Sequence, residues 1–220
     1  MNINVIDLTL LGLWTSIILS YSIALITETI ELPPHVPMIS DLWLTTPGEI
    51  ISRVFIPPFI YLWSIFCWKV CNWLDRISWK RGEYEELLYY TDFEPSITNK
   101  LINYINRYVC QYGILNFLTC IAINEHDNDK IHSITAFTFF CTQFILMTVV
   151  IVHLYVFKYK PYKKTVLWLG MLLSIIGSII ISNSYKWRIA ETYVAALEWT
   201  SVAIISGFHW SLKRDLTVKW

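Results

Sequence analysis

One acidic residue stands inside an otherwise apolar stretch near the end of the chain. Glu198 lies five residues into the stretch that runs from Tyr193 to Leu212. A carboxyl group is costly in hydrocarbon, so it is protonated, paired or beside a wet cavity, and it marks a functional site by default. The alternative is that Glu198 only holds helices together. His209 follows eleven residues later, about three helical turns, so both side chains would point to roughly the same side of one helix.

Further polar residues occur in two segments between apolar stretches. The first segment contains His35, Ser40, Asp41 and Glu49, and the second contains His126, Asp127, Asp129 and His132. A histidine beside a carboxylate can act as a general base towards a hydroxyl group. No set of metal ligands has a recognisable spacing, so we expect neither a metal nor another cofactor.

These residues predict a site without establishing an enzyme. The chain contains no G-x-S-x-G elbow, no Gly-rich phosphate loop and no H-E-x-x-H. For chemistry the candidates are Glu198, His132, Asp41 and His35. For contact with a lipid head group the candidates are Ser40 and Glu49.

A cluster of lysines lies between two apolar stretches, in the segment KYKPYKK. Its members are Lys158, Lys160, Lys163 and Lys164. Near a membrane surface such a cluster attracts anionic lipids by about 1 kcal/mol per residue. The alternative is that these lysines only determine the orientation of the neighbouring spans.

The elements that must position these residues are transmembrane helices. The chain has 220 residues, is 55% hydrophobic and has a mean hydropathy of +0.47. A helix that crosses the hydrocarbon core needs roughly 20 apolar residues. The apolar runs are continuous rather than alternating, which favours helices over a β-barrel. We therefore predict one all-α domain over residues 1–220, a six-helix transmembrane bundle with spans at 8–27, 54–71, 106–123, 134–157, 166–182 and 193–212.

The distribution of positive charge predicts the orientation of the bundle. Thirteen of the seventeen Lys and Arg residues fall on one side of these six spans: Lys69, Arg76, Lys80, Arg81, Lys100, Arg107, Lys158, Lys160, Lys163, Lys164, Lys213, Arg214 and Lys219. Cytoplasmic loops collect Lys and Arg, so both termini should be cytoplasmic. The formal net charge is zero, which gives no reason to expect a nucleic-acid partner.

Two further patterns concern the helices themselves. The first span could instead be a signal peptide, but residues 1–7 contain no basic residue and no clear A-x-A cleavage site follows. We therefore expect this helix to be retained. In the fifth span, Gly170, Ser174, Ser178 and Ser182 recur every fourth residue, which predicts a face for close packing against another helix.

Three segments, in order, resemble a family of six-span membrane proteins. His35-Val-Pro-Met-Ile-Ser-Asp41, followed by Pro47-Gly-Glu49 and Arg53, resembles the first luminal loop of the DRAM-like and CWH-type proteins. Asp127–His132 with Ala136-Phe-Thr-Phe139 is similar to the start of their fourth helix. Leu197-Glu-Trp199, Gly207-Phe-His-Trp-Ser211 and Asp215 are similar to the ending of the post-GPI-attachment to proteins factor 2 family. The family's aromatic-Asp-Phe ending is replaced here by Arg214-Asp215-Leu216.

The resemblance implies work on glycosylphosphatidylinositol (GPI)-anchored proteins in the Golgi membrane, with the endoplasmic reticulum as a second location. Members of the factor 2 family are needed when a lyso-GPI lipid is reacylated with a saturated chain. If the chain is an enzyme, it would be an acyltransferase acting on lyso-GPI. The expected partners are membrane lipids and GPI-anchored proteins. The alternative is a non-enzymatic regulator, similar to the autophagy modulators or the phosphoinositide-kinase scaffolds.

Overall fold

The fold is built from long helices. A computed structural model of the chain describes residues 4–29, 37–44, 46–89, 97–156, 161–184 and 187–217, without the side chains of 78–103, 183–191, 214 and 217. These ranges contain no β-strand. Their long helices are α1 (Val5–Ile26), α2 (Ile56–Tyr89), α3 (Ile97–Ala122), α4 (Glu125–Val156), α5 (Tyr162–Ser184) and α6 (Trp187–Thr217). The prediction of an all-α fold is confirmed.

Within the described ranges, four helical segments are long and apolar enough to cross a membrane. They are Val5–Ile26, Gly48–Ile77, Glu125–Val156 and Tyr162–Ser182. Helices α3 and α6 are long enough, with 26 and 31 residues, but they contain more polar side chains. The chain is therefore an all-helical, multi-pass membrane protein.

Local sequence determines where several helices begin. Asn4 caps α1, because its side chain accepts a hydrogen bond from the backbone N–H of Ile6. Pro57 and Pro58 lie near the start of α2, directly after a π-helical turn at Ile51–Phe55. The regular i→i−4 bonding is already interrupted there, so the missing N–H groups do not break the helix. Helix α2 then continues to Tyr89, well past residue 71, where the second span was predicted to end.

Helix α4 has a kink close to its start. Asn128 has a non-helical backbone (φ −165°, ψ 94°), and its side chain accepts a hydrogen bond from the N–H of Ile131 at 3.1 Å. Asn128 therefore acts as an internal N-cap. The long, continuous part of α4 begins after it and includes His132.

Sequential helices pack against each other, α1 on α2, α2 on α3, α3 on α4 and α5 on α6, while α4 and α5 make much less contact. Glycine allows two of the close approaches. A Cβ atom at Gly12 would lie 2.1 Å from the Phe59 ring, and one at Gly113 would lie 1.9 Å from Thr142 Oγ1. Helix α6 joins the bundle through α1, because Trp14 Nε1 donates a hydrogen bond to Ser206 Oγ at 3.1 Å.

Charged residues link helices at one end of the bundle. At that end Lys213 of α6 pairs with Asp7 of α1, and Arg107 of α3 pairs with Asp75 of α2. Lys164 of α5 pairs with Asp215 of α6 at 2.8 Å. The opposite end carries residues 37–44, the α3–α4 turn and the first part of α6, and the candidate site lies there.

Candidate functional site

A short segment of the first connecting region is fixed to helix α6. Trp199 Nε1 donates a hydrogen bond to the carbonyl oxygen of Pro37 at 2.9 Å. Two residues later, the backbone N–H of Ile39 donates to Glu198 Oε2 at 3.0 Å. These two bonds hold residues 37–40 against the predicted sixth span. Glu198 therefore helps to position a distant segment. This role corresponds in part to the alternative in which Glu198 only holds helices together.

Glu198 also faces open space. Its Oε2 atom is used by Ile39, whereas its Oε1 atom makes no hydrogen bond with any described residue. Ser40, the next residue of the bound segment, is 8% exposed, and its hydroxyl has no partner within the described ranges. Both residues line the same cavities.

His132 is buried on helix α4 beside the end of α3. Its Nδ1 atom lies 2.9 Å from the carbonyl oxygen of Cys120 and 3.0 Å from that of Ile123. Carbonyl oxygens only accept hydrogen bonds, so Nδ1 carries the proton in the neutral ring, and Nε2 presents a lone pair 3.8 Å from Cys120 Sγ. A histidine held in this tautomer can accept a proton from a hydroxyl group.

These residues line two neighbouring spaces. The larger is a groove of about 410 Å³ between α4, α5, α6 and residues 38–40. The smaller is a cavity of about 30 Å³ that reaches inward to Trp63 and Ile205, with room for about one water molecule. The residues that line both are Ser40, His132, Ala136, Phe140 and Glu198. We call Ser40, His132 and Glu198 the polar end of the groove.

Two other predicted site residues have structural partners. Asp41 Oδ2 accepts a hydrogen bond from the backbone N–H of Met38 at 2.6 Å and so stabilises the turn that presents Ser40. Glu49 forms an ion pair of 2.8 Å with Arg53, which also pairs with Asp127 in the first turn of α4. Neither Asp41 nor Glu49 lines the groove or the inner cavity.

The remaining predictions lie elsewhere or outside the described residues. His35, Lys158 and Lys160 fall outside them. Lys163 is exposed, and Lys164 is paired with Asp215, so Lys164 is not a free cation.

His209 is fully buried below the inner cavity. Its Nδ1 atom bonds the carbonyl oxygen of Ile205 at 2.9 Å, and its ring packs edge-on against Trp63 with 5.4 Å between centroids. It lines neither space, which agrees with a structural role.

The walls of the groove were not predicted as part of a site. Phe137 and Phe140 of α4 face Ile175 and Ile179 of α5 across it. The small-residue pattern of α5 was a partial signal. Ser178 and Ser182 line the groove, whereas Ser174 is buried, and Gly170 and Gly177 approach Ile204 and Leu197 of α6.

The polar end of the groove offers groups that form hydrogen bonds. No group of three or more His, Cys, Asp or Glu residues in the described ranges could hold a metal ion. Ser40, His132 and Glu198 offer a hydroxyl, an imidazole nitrogen and a carboxyl oxygen at the end of a mostly apolar groove. Such a combination, a few polar groups in an apolar pocket of 300–1,000 Å³, is typical of small-molecule sites.

The sequence pattern of the Frag1/DRAM/Sfk1/Cwh43P N-terminal domain family matches residues 5–218. The chain belongs to this family. The match includes every described element and all three residues of the polar end. No curated protein and no solved structure matches the chain.

Proposed function

We propose that this Frag1/DRAM family protein is a Golgi membrane factor for the lipid remodelling of GPI-anchored proteins, in the step where a lyso-GPI lipid is reacylated. The supporting observation is the convergence of three distant segments. Ser40 comes from the first of the three segments that resemble the six-span family and His132 from the second. Glu198 comes from the third, which resembles the GPI-remodelling branch. In the fold they line one groove.

The proposal includes six membrane crossings, with α3 and α6 as the two additional spans. The polar residues that lower the hydropathy of α3 face inward, since Asn106 and Asn116 are buried. Its exposed large side chains are Tyr104, Ile105, Tyr108, Tyr112 and Leu115. In α6, Ser201, Ser206 and His209 are buried, whereas Tyr193 and Trp210 are exposed. Both helices therefore present apolar or aromatic surfaces outward, as lipid-facing helices do.

With six crossings and cytoplasmic termini, the polar end of the groove would lie in the luminal half of the membrane, in the leaflet that carries GPI lipids. We expect a tag after Trp220 to be cytoplasmic and a tag within 125–130 to be luminal. Protease protection in sealed Golgi vesicles distinguishes the two positions. Equal protection of both tags would contradict the six-span arrangement.

The function is tested in a knockout cell line that expresses Glu198→Gln at wild-type abundance. The readouts are the fatty-acid composition of GPI anchors and the surface level of GPI-anchored proteins. We expect Glu198→Gln to reach the Golgi but to fail to restore the saturated chain, because the amide replaces a carboxyl oxygen that faces the groove with a group of different charge and hydrogen-bonding capacity.

The matched control is Glu28→Gln, the same chemical change at an exposed residue that does not line the groove. We expect it to restore remodelling fully. If the knockout itself leaves GPI lipids unchanged, the proposal fails and the regulatory alternative gains support. If Glu198→Gln restores remodelling as well as Glu28→Gln, Glu198 only links helix α6 to residues 37–40.

A further inference from the structure

The groove has the shape of a cleft that opens sideways. Helices α4 and α5 are joined far from the polar end, where Trp168 Nε1 donates to Thr148 Oγ1 at 2.8 Å and the Trp168 ring stacks on Phe144. Towards the polar end, the two helices become the two walls of the groove. Phe137 on one wall and Ile179 on the other are about half exposed, at 51% and 46%. Side chains of this kind belong in hydrocarbon, so the opening faces lipid tails rather than water.

The volume of the groove corresponds to about one acyl chain. If a methylene group takes up about as much room as a water molecule, roughly 30 Å³, the groove of about 410 Å³ holds on the order of a dozen methylenes. A longer chain would extend through the opening between α4 and α5 into the bilayer.

The polar end of the groove offers groups that can bind a hydroxyl. Glu198 Oε1 makes no hydrogen bond with any described residue, and neither does the Ser40 hydroxyl. His132 Nε2 is a further acceptor, because its Nδ1 proton is directed to backbone carbonyls, and it lies 3.8 Å from Cys120 Sγ. A lipid hydroxyl both donates and accepts hydrogen bonds, so it suits this set of groups.

We propose that the groove is a lipid-binding site reached sideways from the bilayer between α4 and α5, and that its polar end binds a free hydroxyl group of the lipid. The inference rests on the proposed function and specifies what that site recognises, namely a free glycerol hydroxyl beside a single acyl chain.

Photolabelling of the purified full-length chain in nanodiscs tests this site directly. The probe is a monoacylglycerol with a diazirine in its acyl chain, and the labelled peptides are identified by mass spectrometry. We expect label on the peptides that contain Phe137 and Ile179. Unlabelled monoacylglycerol should compete about tenfold better than the methyl ester of the same fatty acid, which has the same single chain and no hydroxyl, a difference of roughly 1.4 kcal/mol.

A pair of neighbouring substitutions on α5 provides the structural control. Ile179→Trp places a large side chain in the groove, whereas Ile180→Trp adds the same bulk to a residue that is 56% exposed and does not line it. We expect Ile179→Trp to reduce labelling by about tenfold, or roughly 1.4 kcal/mol, and Ile180→Trp to leave it unchanged. At the polar end, Ser40→Ala should reduce labelling by about three- to tenfold, as expected for one lost hydrogen bond. Ser22→Ala should not reduce it, because Ser22 is a partly exposed residue of α1 that does not line the groove.

Three outcomes would overturn the inference. The first is label outside the groove, and the second is equal loss in Ile179→Trp and Ile180→Trp. The third is equal competition by the methyl ester, which would refute recognition of a hydroxyl. If Ile179→Trp does not fold, the wild-type labelling map and the competition series decide the question. The remodelling assay is separate: groove labelling with normal GPI lipids in the knockout would refute the proposed function and leave the binding site standing.

Discussion

Helix α4 has two interfaces, and they are built differently. Towards α3 it makes close contact along much of its length, through Gly113 against Thr142 and through the stacked rings of Phe117 and Phe139, 4.4 Å apart. Towards α5 the described contacts are concentrated at one end, around Trp168. The span of α5 is also the least enclosed of the four apolar spans, with 11% of its residues buried compared with 39–44% in the others.

The difference shows how a bundle of packed helices can keep an accessible site. Glycine at the α3–α4 interface removes the side chain that would separate the backbones, and close packing follows. At the α4–α5 interface, aromatic stacking and one hydrogen bond hold one end together. Towards the other end, Phe137, Phe140, Ile175 and Ile179 line the groove. The groove is thus a consequence of uneven packing on the two faces of one helix.

The largest effect is expected from a methyl group at the α3–α4 interface. In Gly113→Ala the new Cβ would lie 1.9 Å from Thr142 Oγ1 and 2.7 Å from Thr142 Cβ, and Thr142 is buried. Overpacking of this kind lowers the free energy of unfolding by about 1–3 kcal/mol. Thermal unfolding of the purified protein in detergent measures the loss. An unchanged melting temperature would mean that α3 and α4 are not in close contact at this position.

An intermediate effect is expected from the hydrogen bond that joins α4 and α5. Trp168→Phe keeps an aromatic ring against Phe144 but removes the bond to Thr148, which should cost about 0.5–1.5 kcal/mol. Thr148→Val removes the same bond from the other side. The two changes should therefore not be additive in a double-mutant cycle. Additive losses would show that Trp168 and Thr148 do not interact.

The smallest effect is expected from a methyl group between α5 and α6. In Gly177→Ala the new Cβ would lie 3.2 Å from Leu197 Cδ1, the end of a flexible side chain that can move by a few tenths of an ångström. Alanine is also favoured over glycine within a helix by about 0.8–1.0 kcal/mol. We expect a change in unfolding free energy within about 0.5 kcal/mol of zero. A loss as large as that of Gly113→Ala would show that α5 and α6 pack as tightly at Gly177 as α3 and α4 do at Gly113.

Much of the helical architecture could be predicted from the sequence, because long apolar runs have one stable form in lipid. Each of the six predicted spans overlaps a long helix, although α2 and α3 extend further than the apolar residues alone indicated. Glu198 and His132 could be selected as candidate site residues because polar groups in apolar surroundings are costly.

The importance of the individual loop residues could not be ranked in this way. Ser40, Asp41 and Glu49 belong to similar polar segments, yet only Ser40 lines the groove, whereas Asp41 bonds Met38 and Glu49 pairs with Arg53. Which polar side chain faces a cavity depends on the backbone conformation of a short segment, because neighbouring side chains point in different directions.

By itself the sequence determined that the chain is helical, that it is embedded in a membrane and that a carboxyl group lies inside one of its apolar stretches. Each of these properties depends on residues close together along the chain. Only the tertiary structure decided that Ile39 bonds Glu198 across 159 positions, and that α5 separates from α4 where these segments meet. The groove exists because side chains from four separate segments fill some of the space between helices and leave the rest open. No local sequence pattern predicts the size of that open space.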